Sequence, residues 1–227
     1  MYPGCSKPLP FWQQNFTIHG LWPQYNPPKT GYPSYCTKEP FDSKIPTTIG
    51  ISKFLKYWPN LKYKEGDPSY DSFWEHEWTK HGTCTGLNQS TYFKQTLDLA
   101  MRFGSPSILS TLVETGHITK KTADLTSTFS NIEATNLAEQ DLIKNSEEND
   151  HNRVILTISA DKLRASMGGN GKVSLQCDRD GQLFDVLSGV FTCWSQSNGI
   201  PLKQITCPNE VQKEDTCDTS TIIIRRF

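Results

Sequence analysis

The chain has 227 residues, and its 23 Lys and Arg residues nearly balance its 24 Asp and Glu residues. This balance excludes a strong overall basic field, so nucleic acid or an anionic lipid surface would have to be bound by a local group of side chains. The 15 glycines and 14 prolines favour a loop-rich mixed fold, the length suits one domain with a full-sized core, and no segment is apolar enough to cross a membrane.

The first predicted element is a strand at residues 16–22. Phe16 and Ile18 alternate with polar residues, which is the period of a strand that buries one face. His19 would leave the polar face just before Gly20, where the chain can change direction sharply. A lone histidine at a strand end is more often structural than catalytic. His19 therefore indicates a site only if a second motif supports it.

A surface loop and a series of helices follow. Residues 23–46 are rich in Pro, Gly, Tyr and Ser, which is typical of a long loop. Residues 49–58 carry apolar side chains at helical spacing and stop before Pro59, which predicts a helix. Further helices are predicted at 90–101, 107–115 and 159–167.

The most informative stretch is residues 73–84, which read F-W-E-H-E-W-T-K-H-G-T-C. As a regular helix it would place four ionisable side chains at about 0°, 40°, 100° and 140° around the axis, in the order His76, Lys80, Glu77 and His81. The two tryptophans of this stretch would lie beside that arc and could be buried. Four titratable groups of mixed sign on one face suggest a functional site.

Two other interpretations compete with such a site. A solvated face with i,i+4 pairs is the commoner arrangement on an arbitrary helix, but the upstream histidine motif at His19 argues against it here. His76 and His81 also resemble the zinc motif H-E-x-x-H. The extra residue between them would place the two histidines about 140° apart on a regular helix instead of about 40°, so we expect no metal.

The carboxyl-terminal part begins with a change in composition. Acidic and amide residues dominate from about 122 to 153 without an apolar period, so we expect a solvated polar insertion there. Strands are predicted after it at 172–177, 182–194, 205–207 and 221–225. We expect this part of the chain to act as scaffold.

Seven cysteines are dispersed without C-x-x-C spacing, at positions 5, 36, 84, 177, 193, 207 and 217. Such spacing favours disulfides formed in an oxidising compartment. Sequons begin at Asn15 and Asn88, and Asn15 is the less favoured acceptor because it adjoins the predicted strand. The odd count leaves one thiol free or paired outside this sequence. Because residues 1–5 lack the apolar run of a signal peptide, we expect a chain that begins late, with Cys5 left over.

Two segments resemble the active-site segments of the ribonuclease T2 family. They read F-T-I-H-G-L-W-P at residues 16–23 and F-W-E-H-E-W-T-K-H-G-T-C at residues 73–84, and they occur in the family's order. The resemblance implies one α+β domain over residues 1–227, in which an antiparallel β-sheet packs with several α-helices and disulfides staple the chain. The disulfides implied by the resemblance are Cys36–Cys84, Cys177–Cys217 and Cys193–Cys207.

The resemblance also implies a reaction, the cleavage of single-stranded RNA without a metal ion or other cofactor. The ribose 2′-hydroxyl attacks the adjacent phosphorus and forms a 2′,3′-cyclic phosphate, which water then opens to a 3′-phosphate. This chemistry needs one base, one acid and positive charge near the phosphorus. By resemblance His81 is the base, His19 is the acid and His76 holds the phosphate. Lys80 and Glu77 would stabilise the pentacoordinate phosphorane.

Base binding is implied for three further residues. Trp22 matches the family's first base pocket and Phe73 its second, although each could equally be a core aromatic. Single-stranded bases offer faces on which such rings stack. Gln24 stands where fungal members have an acidic residue that hydrogen-bonds the base, so a preference for adenine is not implied. The family's first strand has no convincing match at the amino terminus.

Two alternatives stay open at this point. The chain could be a catalytically silent relative that acts as an RNA-binding, storage or signalling protein, which the presence of both His19 and His81 disfavours. It could also be a self-incompatibility determinant, but those members are commonly basic and the pI here is about 6.5. We expect a protein that is secreted or held in a vacuole or lysosome-like compartment, and that acts as a monomer on single-stranded RNA without a membrane partner.

Overall fold

The computed structural model describes residues 3–12, 15–103, 118–122, 154–179, 185–218 and 220–224. The chain divides into two compact units, which are described separately. The first unit consists of Met1–Ser110 with Thr192–Glu210, and the second consists of Thr111–Phe191 with Val211–Arg226. The expectation of a single domain over residues 1–227 stays a prediction.

Four helices form most of the first unit. They are α1 (Ile45–Ile49), α2 (Ile51–Tyr57), α3 (Ser72–Lys80) and α4 (Gln89–Phe103). The helix predicted at 90–101 is confirmed as α4. The helix predicted at 49–58 corresponds to α2, which begins later than expected because the chain turns at Gly50, whose φ of 127° is open to glycine but strained for other residues.

An aromatic cluster forms the core of the first unit. Its fully or nearly fully buried members are Phe54, Trp58, Tyr70, Trp74, Trp78, Tyr92, Phe93 and Leu97. Trp74 and Trp78 lie on α3 and are completely buried, as the sequence predicts. Rings of this size supply much of the apolar area that stabilises a small core. They also fix the rotation of α3 about its axis, which decides where its polar residues point.

The strand predicted at 16–22 is wrong. This segment has no regular secondary structure. It lies against the end of α2, where the Ile18 N–H donates to the Tyr57 carbonyl over 2.7 Å and Trp58 Nε1 donates to the His19 carbonyl over 2.9 Å. A strand requires a neighbouring strand to form a ladder, and these backbone groups bond to helix-end residues instead.

The helix expected within residues 73–84 is α3, which ends at Lys80, so that His81 lies directly beyond it. The Tyr35 N–H donates to the Lys80 carbonyl over 2.9 Å, so a residue of the preceding loop satisfies a backbone group at the helix end. A short 3₁₀ turn, Gly82–Cys84, follows. The disulfide Cys36–Cys84 ties the same loop to this turn.

A small hairpin completes the first unit. It pairs β5 (Trp194–Ser197) with β6 (Ile200–Gln204) in antiparallel orientation, and the disulfide Cys193–Cys207 closes its open end. The strand predicted at 205–207 is wrong, because the pairing partner of β5 lies just before it. β6 ends at Gln204, which pairs with Trp194, the first residue of β5. Residues 205–207 therefore have no residue of β5 opposite them.

A five-stranded sheet dominates the second unit. Its strands are β1 (Ile118–Thr122), β2 (Val154–Ser159), β3 (Val173–Arg179), β4 (Asp185–Thr192) and β7 (Thr221–Ile224), in the spatial order β1-β2-β7-β4-β3. β1 pairs with β2, and β2 with β7, in antiparallel orientation. β7 and β4 run parallel, with Asp185 opposite Ile222. The α+β class is confirmed, but the sheet is mixed because the last strand inserts between β2 and β4.

Two short helices accompany these strands, α5 (Ala160–Ser166) and α6 (Asn209–Gln212). The Ser159 side chain caps α5 by accepting from the Lys162 N–H, which agrees with the helix predicted at 159–167. The disulfide Cys177–Cys217 lies in the second unit. The strands predicted at 172–177 and 221–225 correspond to β3 and β7. The strand predicted at 182–194 corresponds to β4 and the start of β5.

Some predictions fall outside the described residues. The helix predicted at 107–115 lies there. The polar insertion predicted at 122–153 lies there too, apart from its first residue, Thr122, which is the last residue of β1. In the described ranges, no helix combines the length and the apolar character that a membrane span requires.

Candidate active site

The site forms where α3 ends. His76, Glu77 and Lys80 lie in the last two turns of the helix, and His81 follows directly after it. Glu77 and His81 are buried, whereas His76 is exposed. The helix end turns the His81 ring back toward His76, and the centroids of the two rings lie 6.4 Å apart.

His19 reaches the same place from the irregular segment before the long loop. Its carbonyl is held by Trp58, and two residues later the Leu21 carbonyl accepts a 3.1 Å hydrogen bond from the Tyr92 hydroxyl. These two core aromatics fix the backbone on either side of Gly20. The His19 side chain is 70% exposed, and its Nε2 lies 3.8 Å from Glu77 Oε1.

Trp22 lies at the centre of the group. Its Nε1 donates a 2.8 Å hydrogen bond to Glu77 Oε2. Its ring stacks on His81, with centroids 4.9 Å apart and planes inclined by 20°, and meets the His19 ring edge-on at 4.9 Å. A Cβ atom at Gly20 would collide with Glu77 Oε2 and with Trp22 Nε1, so glycine suits this close approach of the segment to α3.

Burial changes the titration of both buried groups. It raises the pKa of Glu77 from 4.5 to about 7, an effect that the Trp22 hydrogen bond and the Lys80 charge oppose. It lowers the pKa of His81 from 6.5 to about 3, and the positive charges of Lys80, His76 and His19 lower it further. At mildly acidic pH both groups are therefore mostly neutral.

The pKa values of the two more exposed histidines, His19 and His76, are also lowered. Neighbouring protein displaces water from His19 and lowers its pKa, and the charges of His76 and Lys80 add to the shift. Partial burial lowers the pKa of His76, followed by repulsion from Lys80 and Lys62. The positive groups of the cluster thus make protonation of each histidine less favourable.

Two buried atoms of the cluster lack a hydrogen-bond partner within the described residues, Glu77 Oε1 and His81 Nδ1. Buried polar atoms are usually paired, and unpaired ones are concentrated at functional sites. The side chains of His76, Glu77 and His81 also offer ligand atoms within 4.8 Å of one another, so these residues could hold a metal ion. Because His81 lies beyond the end of α3, the separation of about 140° that a regular helix would give these two histidines does not apply. The expectation of a metal-free site stays a prediction.

Most of the residues expected at the site lie together. The five ionisable residues, His19, His76, Glu77, Lys80 and His81, surround the end of α3. Trp22 joins them as described, and Phe73 lies with its ring centroid 5.7 Å from that of His19. Gln24 is half-buried, and within the described residues it takes no part in the ring contacts that join the cluster.

Tyr32 is a member of the cluster that the sequence argument missed. Its ring lies 5.4 Å from the His81 ring and 6.5 Å from the Trp22 ring, and Lys80 Nζ lies 5.7 Å from its centroid. Tyr32 belongs to the Pro- and Gly-rich loop, which carries no periodic signal. Its proximity to Cys36, which is tied to Cys84, is the feature of the sequence that could have indicated it.

Several known ribonucleases are similar in sequence to part of this chain. Intracellular ribonuclease LX of Solanum lycopersicum is 41% identical over 97 residues, covering 43% of this chain and 38% of the relative. Ribonuclease 1 of Arabidopsis thaliana is 40% identical over 119 residues, covering 51% and 46%. Ribonuclease T2 of Aspergillus oryzae is 35% identical over 106 residues, covering 40% and 36%. The matched part is thus less than half the length of each of these relatives.

Solved structures agree at the level of the fold. RNase NT in complex with 5′-AMP matches with a TM-score of 0.60 at 23% identity, covering 100% of this chain and 88% of that one. A mutant of RNase MC1 in complex with 5′-GMP matches with a TM-score of 0.58 at 24% identity, covering 92% and 83%.

The family comparison covers almost the whole chain. The model of the ribonuclease T2 family matches residues 2–207, a range that includes both histidine segments and every residue of the cluster at the end of α3. With this match, the chain belongs to the ribonuclease T2 family.

Proposed function

We propose that this protein is an endoribonuclease that cleaves single-stranded RNA by transesterification and needs no metal ion. The 2′-hydroxyl attacks the adjacent phosphorus, the 5′-oxygen leaves, and a 2′,3′-cyclic phosphate forms. Water then opens the ring to a 3′-phosphate. The observation that carries the proposal is the meeting of three histidines, a buried carboxylate and a lysine at one helix end.

The two catalytic histidines differ in environment in the way that the reaction requires. His81 is buried and its pKa is about 3, so at mildly acidic pH it is neutral and can accept the proton of the 2′-hydroxyl. His19 is exposed and can reach the leaving 5′-oxygen, to which it donates a proton. In the second step the roles reverse, since His19 takes a proton from water and His81 returns one to the 2′-oxygen.

The remaining groups act on the phosphorane. Lys80 supplies positive charge, and the exposed His76 holds a phosphate oxygen. Glu77 carries its proton below its pKa of about 7, so it can donate a hydrogen bond to a phosphorane oxygen without repelling it. This role suits a carboxyl group whose Oε1 has no hydrogen-bond partner within the described residues.

The aromatic side chains around the histidines provide surfaces for bases. Trp22 and Phe73 flank His19, and Tyr32 lies on the side of His81 and Lys80. Stacking holds a base without reading its sequence. We propose that these three rings bind the nucleotides on either side of the cleaved bond. A hydrogen bond from Gln24 to a base remains part of this proposal.

We also propose a secretory route, with the protein acting as a monomer outside the cell or in a vacuole-like compartment. Three disulfides suit an oxidising compartment. Among the relatives, one is named an extracellular and another an intracellular ribonuclease. Asn88 is exposed and suits a glycan, whereas Asn15 Nδ2 already donates to the Phe11 carbonyl over 2.8 Å.

The pH dependence of the rate tests the histidine assignment. His81 must be neutral, which holds above its pKa of about 3, and His19 must be protonated, which holds only below its lowered pKa. The plot of kcat against pH should therefore be bell-shaped, with its maximum on the acid side of 6.5. A rate that stays constant from acidic to alkaline pH would contradict the two-histidine mechanism.

Digestion of a short single-stranded RNA tests the function itself. The purified protein is incubated with RNA in EDTA at pH about 5, and the products are identified by mass spectrometry beside a His81→Ala control. Fragments that end in 2′,3′-cyclic phosphate, and that are absent with the control, are expected. Binding without cleavage would favour the catalytically silent alternative, and cleavage that EDTA abolishes would overturn the metal-free mechanism.

A further inference from the structure

The two oxygens of the Glu77 carboxylate have different environments. Oε2 accepts the 2.8 Å hydrogen bond from Trp22 Nε1. Oε1 has no hydrogen-bond partner within the described residues and lies 3.8 Å from His19 Nε2. The side chain is only 1% exposed, so water does not readily replace a missing partner. Oε1 is therefore held free on the side of His19.

The Trp22 N–H decides which oxygen faces His19. The terminal torsion of a glutamate side chain is broad and roughly two-fold, so a carboxylate turns easily unless a partner fixes it. Within the described ranges, Trp22 is the side chain that hydrogen-bonds this carboxylate. The Tyr92 hydroxyl, which also lies nearby, bonds to the Glu77 backbone carbonyl instead.

The backbone around Trp22 leaves space for this contact. Gly20 lies against both partners, and a side chain there would displace Glu77 Oε2. The Trp22 ring is itself fixed, because it stacks on His81 and meets the edge of His19. A ring that served only as a surface for a base would not need an N–H directed at a buried carboxylate.

We propose that Trp22 is a positioning residue for RNA cleavage, acting through its N–H on the Glu77 carboxylate, in addition to any stacking of its ring on a base. The inference rests on the proposed function, because Glu77 matters to the rate only if the cluster cleaves RNA. Its consequence is specific: removal of the N–H should affect the chemical step more than it affects the binding of RNA.

The test compares Trp22→Phe with a matched variant, Trp12→Phe. Both substitutions keep an aromatic ring and remove an indole N–H, but Trp12 Nε1 donates to the Lys56 carbonyl over 3.0 Å, outside the cluster. For Trp22→Phe we expect kcat on a short RNA to fall about 10- to 100-fold, with KM changed by less than about threefold. Trp12→Phe should keep the wild-type values. A higher KM with unchanged kcat for Trp22→Phe would leave only the stacking role and overturn the proposal.

A double-mutant cycle with Glu77→Gln shows whether Trp22 acts through Glu77. In the Glu77→Gln background, Trp22→Phe should lower kcat by less than about twofold, because the group that it positions is already changed. A full, additive loss would overturn the positioning role while leaving the proposed function intact. If the wild-type protein fails to cleave RNA, the proposed function fails, and the positioning role fails with it.

A measurement independent of activity guards against misfolded variants. In protein labelled with ¹⁵N at its indole groups, Glu77→Ala, which removes the acceptor, should move the Trp22 indole N–H resonance, whereas Glu75→Ala, on the exposed side of the same helix, should not. An unmoved resonance would show that the hydrogen bond is absent in solution and would overturn the proposal.

Discussion

Each unit of the molecule contains a group of ionisable side chains with restricted access to water, and the two groups are built differently. In the second unit Arg164, whose side chain is 14% exposed, donates to both carboxylate oxygens of Asp215, over 2.5 and 3.0 Å. It also donates to Asp161 and to the Cys217 carbonyl, over 3.2 and 3.3 Å. In the first unit, Glu77 Oε1 and His81 Nδ1 lack a hydrogen-bond partner within the described residues.

We call the side chains around Arg164 the structural group, and the cluster of His19, His76, Glu77, Lys80 and His81 the reactive group. The carboxylates of Asp215 and Asp161 compensate the positive charge of Arg164, and the hydrogen bonds to Asp215 raise the pKa of its guanidinium. Burial favours the neutral forms of Glu77 and His81, and each has one buried atom without a hydrogen-bond partner within the described residues. Complete pairing stabilises a fold, whereas incomplete pairing costs stability and is retained where chemistry requires it.

The largest expected effect is the loss of catalysis when the reactive group is changed. His81→Asn keeps a polar side chain of similar size but cannot act as a base, so kcat at pH about 5 should fall roughly 10²- to 10⁴-fold. The measurement is the rate of appearance of 2′,3′-cyclic phosphate ends.

The second unit supplies the control for that variant. Asp215→Asn changes the compensated group and should leave kcat within about twofold of the wild type. Equal losses of kcat in the two variants would erase the distinction between a reactive and a structural group.

The next largest effect concerns the free energy of unfolding, which ionisation of the buried Glu77 lowers. Its pKa is raised from 4.5 to about 7 in the folded protein, so the wild type loses stability as pH rises through this range, by about 3 kcal/mol in total. Glutamine does not titrate. The unfolding free energy of Glu77→Gln, relative to the wild type, should therefore increase from pH 4 to pH 8 by about 3 kcal/mol.

Urea denaturation at several pH values measures this difference. The matched control is Glu75→Gln, two residues earlier on the exposed side of α3, for which we expect a difference of less than about 0.5 kcal/mol at every pH. A Glu77→Gln difference that does not change with pH would mean that the carboxyl group is not destabilised by burial.

A smaller loss is expected when the compensated group is broken. Asp215→Ala leaves the largely buried Arg164 without its main partner and should lower the unfolding free energy by about 2 kcal/mol. Asp161→Ala removes only the exposed partner and should cost less than about 1 kcal/mol. Similar values for the two variants would show that Arg164 is not held mainly by Asp215.

The sequence predicts the reactive group better than the fold around it. The pattern of residues 73–84 places two tryptophans in the core and four ionisable residues on one side, and the structure has both features. These properties depend on helix periodicity, which is local. The end of α3 depends on the Tyr35 N–H and on the Cys36–Cys84 disulfide, so the position of His81 beyond the helix could not be obtained from spacing alone.

Errors in the strands have the same non-local origin. Alternation at residues 16–22 describes one buried face, but a strand also needs a partner, and the nearest backbone groups belong to the end of α2. The parallel pairing of β7 with β4 likewise depends on where the last strand inserts, which no local pattern records. Disulfide pairs follow from the family resemblance, because spacing alone does not choose among the possible pairings.

Substitution of Tyr32 should have the smallest effect of those considered. It tests whether the reactive group extends from the end of α3 into the preceding loop. Its ring is 40% exposed and lies beside His81 and Lys80, so we expect it to bind a base and not to take part in proton transfer. Tyr32→Ala should raise KM for a short RNA by roughly 5- to 10-fold, the equivalent of about 1 kcal/mol of stacking, with kcat within about twofold.

Tyr35→Ala is the matched control, because Tyr35 lies in the same loop, is 61% exposed, and contacts Lys80 through its backbone N–H, which alanine retains. It should leave KM nearly unchanged. A fall in kcat for Tyr32→Ala at constant KM would place Tyr32 among the groups that support His81 chemically, because a ring that only stacks on a base cannot change the rate of the bound complex. The boundary of the reactive group would then lie in the loop and not at the end of α3.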